Sequence, residues 1–334
     1  MKLGKKIALL LSSLMIIVLV MSGCSNNNLT KITLAEVTHS IFYAPQYVAL
    51  TEGFFEEEGL DVEIINTKGA DKTMAAILSN EADIGFMGPE ASIYVYNQGK
   101  EDYAVNFAQL TQRDGSFLIG REKDDNFTFN KLKGKTIIGG RKGGVPEMTL
   151  EYVLKKNGLK IGEDVTVRTD IQFSVMAGAF TGGEGDYVTL FEPVATSLEK
   201  EAKGYIVASI GKESGYLPYT CYSAKKSYIQ KNTDTIQKFT NAIYKGQLWV
   251  QNHSSKEIAK SISSQFPDTD IATLSAVINR YKSQDTWAKN PILKEESLNH
   301  LMDIIEFAGE LDKRAPYEKI VTTEFAKKAI ENIK

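Results

Sequence analysis

The chain has only two cysteines, Cys24 and Cys221, in 334 residues. They cannot supply a disulfide framework or a cysteine-rich zinc site. Histidine is scarce as well. His39, His253 and His300 are the only three, and they show no HxxxH or HExxH spacing. The helical zinc-protease pattern is therefore excluded. Basic blocks are missing too. The net charge is −3, and residues 1–23 hold three lysines and no acidic residue, so the remainder is more acidic than the whole. Nucleic acid is excluded as a partner, because neutralising phosphates needs clustered Lys and Arg. A P-loop is absent. "GGRKGG" (139–144) lacks the Lys-Ser/Thr ending, and "GKT" (134–136) lacks the upstream glycine.

One apolar run stands out, Ile7 to Met21, preceded by Lys2, Lys5 and Lys6 and followed by "MSGC" (21–24). It is shorter than the ~20 residues of a spanning helix. The pattern resembles a bacterial lipoprotein signal. That resemblance implies a signal peptide over 1–23, a lipid on Cys24 and a polar tether over 24–30. It places the protein at the extracellular face of the cytoplasmic membrane.

The rest of the chain, about 310 residues, exceeds one ordinary core and predicts two lobes. Short strands alternate with helices: "ITLAEV", "PQYVALTEGFF", "DVEIIN", "DKTMAAILS", "DIGFM", then a helix from Pro89. The pattern recurs after residue 134, from "KTIIGG" through "DVTVRT" to "GDYVTL" and a helix after Pro193. This predicts an α/β fold with mostly parallel sheets. From Lys225 onward the spacing predicts helices almost throughout. Pro45, Pro89, Pro146 and Pro193 each follow a strand and open a helix, where the missing N–H is harmless. "EADIGFMGP" and "EGDYVTLFEP" therefore look like equivalent places in two halves. Ligands of open α/β sheets bind beyond the C-terminal ends of the strands. Two facing lobes would line one cleft there.

Candidate cleft residues follow from that placement. His39, Ser40, Phe42 and Tyr43 lie beyond the first strand. The two aromatic rings either stack on a flat solute or pack under the Pro45 helix. Met87, Gly88 and Glu90 close the third strand. Glu90 either complements the helix dipole or accepts from ligand N–H groups. Gly143, Gly144 and Glu147 follow the "KTIIGG" strand, where glycines allow close backbone approach. Thr189, Phe191 and Glu192 are the second-half counterparts of 86–90. Arg113 either pairs with Asp114 or holds a ligand carboxylate or sulfonate. Tyr219 lies on a return crossover beside Cys221. No nucleophile–base pair, metal set or cofactor motif is found, so neither catalysis nor a cofactor is expected.

"FYAPQYVALTEGFFEEEGLDVEI" (42–64), "ILSNEADIGFMGPEA" (77–91), "LKGKTIIGGRKGG" (132–144), "FEPVAT" (191–196) and "PYEKIVTTEFAKKA" (316–329) resemble one family. It comprises the solute-binding proteins of ABC importers for nitrate, sulfonates, taurine and thiamine-precursor pyrimidines. The resemblance implies a two-lobed clamshell of the periplasmic-binding-protein type (type II), each lobe a mixed, mostly parallel sheet flanked by helices. Lobe one would comprise 31–113 plus 223–334 and lobe two 114–222, with crossovers near Gln112–Phe117 and Thr220–Ser223. A small-molecule ligand, an ABC permease and a monomeric state are expected. The leading ligand is a flat nitrogen-bearing solute such as a thiamine-precursor pyrimidine, with a sulfonate or taurine as the alternative. One family branch is enzymatic, the thiamine-pyrimidine synthases, which carry a cysteine-rich iron-binding run. The matching "YTCYSAKKSYIQKN" (219–232) holds only Cys221.

Overall fold

The computed structural model describes residues 29–333. The expected signal, Cys24 and nearly all of the tether lie outside the described residues. Ten strands form two five-stranded sheets. The first holds β1 (Thr30–Glu36), β2 (Leu60–Asn66), β3 (Ile84–Met87), β4 (Ala104–Thr111) and β10 (Thr220–Lys225), in the order β2-β1-β3-β10-β4. The second holds β5 (Phe117–Gly120), β6 (Lys135–Ile138), β7 (Val165–Arg168), β8 (Tyr187–Leu190) and β9 (Tyr205–Ser209), in the order β7-β6-β8-β5-β9.

The sheets share one plan. β1 pairs in parallel with β2 and β3, and β6 with β7 and β8. The fourth strand in each order, β10 or β5, runs antiparallel to both neighbours. Each sheet thus has four strands in one direction and one reversed. Each reversed strand is the one that receives the chain from a crossover. β5 is the first strand met on entering the second sheet, and β10 is the strand made on return.

The prolines sit where a missing N–H is tolerated. Pro45 and Pro146 lie in the first turn of the helices Ala44–Thr51 and Val145–Lys156. Pro89 and Pro193 are the residues before Glu90–Asn97 and Val194–Lys200. Helices Thr233–Asn252, Ser255–Ile262 and Ile271–Ser283 follow the return, with Glu295–Phe307 and Glu324–Asn332 near the end. Ser254 and Glu257 form a reciprocal capping box that starts the second of these. Thr233–Asn252 lies against Ala44–Thr51 and Glu324–Asn332, so the C-terminal helices cover the first sheet.

The expected boundary at 222/223 needs correction. Cys221, Tyr222 and Ser223 pair with Met87, Phe86 and Gly85 of β3, so the return strand belongs to the first sheet from Thr220. The second crossover lies ahead of it. Leu217 N donates to Gln112 O and Tyr219 N to Thr111 O, which lays the two crossovers side by side.

Candidate ligand-binding site

The chain between β1 and the Pro45 helix makes one 3-10 turn, Ile41–Tyr43, capped by Ser40. Ser40 Oγ accepts from Phe42 N at 3.3 Å and donates to Glu192 O of the second lobe at 3.0 Å. That contact joins the two strand ends directly. The Phe42 ring centroid lies 5.2 Å from Tyr43, 5.6 Å from Phe191 and 5.6 Å from Tyr219. Tyr43 meets Phe86 edge-on at 4.5 Å. All are buried. The choice between core and cleft wall is therefore not exclusive: these rings pack as core at the seam where the lobes meet. Gly115 of the first crossover lies under Phe42, and a Cβ there would collide with the ring.

Glu90 opens its helix within electrostatic reach of Tyr43 and Tyr219 and is 3% exposed. Its side chain folds back over Gly88. A side chain at 88 would occupy the place of the carboxylate, which accounts for the glycine. Burial pushes the Glu90 carboxyl up to about 7, against the opposing pull of its own N–H, of Arg141 across the seam and of the Ala91 N–H. Oε2 has no hydrogen-bond partner. The helix N-terminus thus carries its own carboxylate, and that carboxylate still has one oxygen to satisfy.

Several candidates have other partners. His39 turns away from the aromatic cluster: Nδ1 meets Glu36 Oε1 at 2.9 Å, Nε2 meets Gln265 O at 2.8 Å, and the ring stacks on Phe266. Both acceptors need a donor, so both ring nitrogens carry protons. The Glu36 carboxylate accordingly holds the His39 pKa above its ordinary value. Arg113 does not pair with Asp114. Its guanidinium donates to Gly211 O at 3.1 Å and lies 3.9 Å over the Tyr216 ring. Thr189 Oγ1 lies 3.5 Å from Ile138 O inside the second sheet. Glu192 is fully engaged. It accepts from Thr196 N at 2.8 Å and Thr196 Oγ1 at 2.9 Å, and pairs with Arg280 of the first lobe.

The glycine loop is also self-contained. Gly143 N donates to Glu147 Oε2 at 3.1 Å and Gly144 N to Arg141 O at 3.2 Å. These N–H groups are taken, which argues against an anion cradle there. Tyr94 OH donates to Gly143 O at 3.3 Å, so the loop forms part of the lobe seam. Burial and the neighbouring Glu151 carboxylate push Glu147 up to about 8. Met87 is buried in β3, paired with Cys221 of β10.

Sequence reading missed Tyr281, Arg280 and Trp287. Tyr281 OH donates to Gly115 O at 3.1 Å and accepts from Glu192 N at 3.2 Å. Trp287 Nε1 donates to Phe42 O at 2.8 Å. They lie more than 80 residues from their partners, Arg280 and Tyr281 in the helix Ile271–Ser283 and Trp287 in the segment after it, where it bridges to Thr111, and neither place carries a motif. Among the described residues no group of three His, Cys, Asp or Glu could hold a metal ion.

Residues 41–257 match the model of the family described as NMT1/THI5 like. The chain is 51% identical over 300 residues to a Bacillus subtilis (strain 168) protein named "Putative binding protein YtlA", covering 90% of each. It is 26% identical over 236 residues to the 4-amino-5-hydroxymethyl-2-methylpyrimidine phosphate synthase of Schizosaccharomyces pombe, covering 67% of this chain and 66% of that one. In fold it is similar to a ligand-binding component of an ABC-type import system from Staphylococcus aureus. There the TM-score is 0.72 at 13% identity, over 90% of this chain and 99% of the other. A two-sheet α/β fold with paired reversed strands, together with these matches, places the chain in the NMT1/THI5-like family.

Proposed function

We propose that this chain is the solute-binding component of an ABC importer. It captures a flat, nitrogen-bearing solute of the aminopyrimidine class between its lobes and hands it to a permease. The observation that carries the reading is Glu90. It is a buried carboxylate with one unpartnered oxygen, within electrostatic reach of Tyr43 and Tyr219, whose rings pack with Phe42 and Phe191 at the seam of two sheets. A buried carboxylate oxygen without a partner asks for an N–H donor. A sulfonate or nitrate would bring more negative charge to it. The aromatic rings suit a planar solute. The binding-protein name of the Bacillus relative and the shared fold of the Staphylococcus importer component support the same class.

The solute is bound without covalent change in this reading. The synthase relatives are more distant, and Cys221 is a poor nucleophile, since burial pushes its thiol well up. Lobe closure gives the permease a shape to recognise. Cys24 carries the lipid, and the protein works as a monomer held at the outer face of the cytoplasmic membrane. A Cys24→Ala variant should then leave the membrane fraction for the medium.

Thermal unfolding of the full chain against pyrimidines, sulfonates, taurine and nitrate tests the class. A true ligand at 100 times its Kd adds about 2.7 kcal/mol. The expected result is a raised midpoint with an aminopyrimidine and none with nitrate. A shift with sulfonates alone would move the protein to the other branch, and no shift with any would defeat the solute reading.

A further inference from the structure

Six of the ten buried side-chain polar atoms without a partner among the described residues lie on or beside the two crossovers. They belong to Thr111, Arg113, Asp114, Ser116, Ser214 and Tyr219. Asp114 is the one carboxylate in that set. It is 0% exposed, and its Oδ1 accepts from Ser116 N at 2.6 Å. Its Oδ2 accepts from nothing. The adjacent cation, Arg113, is held away by Gly211 O and the Tyr216 ring. The Tyr219 hydroxyl and Ser116 Oγ flank the carboxylate, yet both also lack a partner in hydrogen-bonding geometry. Burial pushes Asp114 up to about 6.

The surroundings link Asp114 to the site already described. The Tyr219 hydroxyl is within electrostatic reach of Asp114, Tyr43 and Glu90 together. The residue after Asp114, Gly115, carries the Phe42 ring, and its carbonyl is bound by Tyr281. A carboxylate in such a place is costly unless a donor or cation meets it. An amide would cap Ser116 N equally well without that cost.

We propose that Asp114 is a second ligand-contacting residue, whose Oδ2 receives an N–H donor from a different edge of the solute than the one that meets Glu90. This rests on the reading of the preceding subsection and narrows it. The solute presents donors at two edges and is cationic or protonatable. A 4-aminopyrimidine protonated on the ring nitrogen opposite its amino group has that form. A sulfonate, taurine's anionic end and nitrate do not.

Calorimetric titration of the full chain with 4-amino-5-hydroxymethyl-2-methylpyrimidine, and with the analogue lacking the 4-amino group, provides the test. Asp114→Asn and Glu90→Gln should each weaken the amino compound at least tenfold, and the deamino analogue should bind wild type at least tenfold more weakly. The ligand-free Asp114→Asn protein should unfold at a higher temperature than wild type, because a buried uncompensated charge has gone. Undiminished affinity in Asp114→Asn alongside a loss in Glu90→Gln would overturn the role of Asp114 and leave the proposed function standing. A lowered unfolding midpoint with undiminished affinity would mark Asp114 as a turn cap only. Should Asp114→Asn not fold, equal binding of the two compounds by wild type would overturn the two-edge model. No binding of either compound by wild type would remove both readings together.

Discussion

Glu90 and Glu192 stand at matching places in the two halves, each just beyond the strand beside β1 or β6 and next to a proline that opens a helix. Both are buried. Yet Glu192 has a complete set of partners: the Thr196 N–H and hydroxyl within its own lobe and Arg280 from the other. Glu90 has one oxygen with none. The same local sequence device thus gives a latch in one lobe and an open acceptor in the other. The difference is made by what the C-terminal helices bring. Ile271–Ser283 delivers Arg280 and Tyr281 to Glu192, and no equivalent cation is delivered to Glu90 at ion-pair distance among the described residues.

The largest expected effect comes from breaking the paired side. Arg280→Ala leaves Glu192 buried without its counter-charge, and should destabilise the protein by ~3 kcal/mol in denaturant unfolding. Glu90→Gln should be neutral or mildly stabilising by the same measurement. Equal losses would mean that the two carboxylates are alike after all.

A second contrast is in pH. The Glu90 carboxyl is raised from its ordinary 4.5 to about 7 by burial. The folded state therefore holds that proton more tightly than the unfolded chain does. The stability this provides is complete below pH 4.5 and is lost as the pH rises through about 7. The share of the loss due to Glu90 should be on the order of 2–3 kcal/mol and should disappear in Glu90→Gln, while the shares of Asp114 and Glu147, raised to about 6 and about 8, remain. Unfolding curves for both proteins between pH 4.5 and 8 check this. An identical pH dependence in the two would leave the titration to Asp114 and Glu147.

The smallest effect concerns the edge of the site. His39, held protonated between Glu36 and Gln265 O, has a raised pKa. Its contribution is fully present below the ordinary 6.5 and is lost as the pH rises past the folded value. It is half-buried, so about 0.5–1 kcal/mol is expected. His39→Gln should remove that dependence while leaving solute binding within about twofold. A large loss of binding would return His39 to the cleft.

These comparisons show where the sequence is legible. The strands with clear alternation or bounding glycines, such as "DVEIIN" and "KTIIGG", lie where periodicity places them. β4 is buried along all eight residues and so offers no alternation, while β5 has only four residues. β10 reads as a linker for the same reason, since five of its six residues are buried. Phe42, Tyr43 and Phe191 can be placed beyond strand ends from the sequence and Tyr219 on the return crossover, but that their rings pack together is seen only in the structure. The partners of Glu192 and the turning away of His39 and Arg113 were not, because each depends on a contact from a distant segment. Whether a carboxylate is paired is a property of the tertiary structure, and no local motif encodes it.

The placement of β10 has a consequence for how the chain acquires its structure. Every strand of the second sheet lies within residues 117–209, so that lobe can assemble from one continuous stretch. The first sheet cannot. β3 and β4 are neighbours in sequence, but β10 must enter between them, more than 100 residues later. Until it does, both strands present unpaired edges, which are templates for aggregation. Emerging N-terminus first during synthesis, the chain would complete its second lobe while its first still waits. The insertion of Thr220–Lys225, a non-local event of high loop-closure entropy, is therefore the expected slow step of folding.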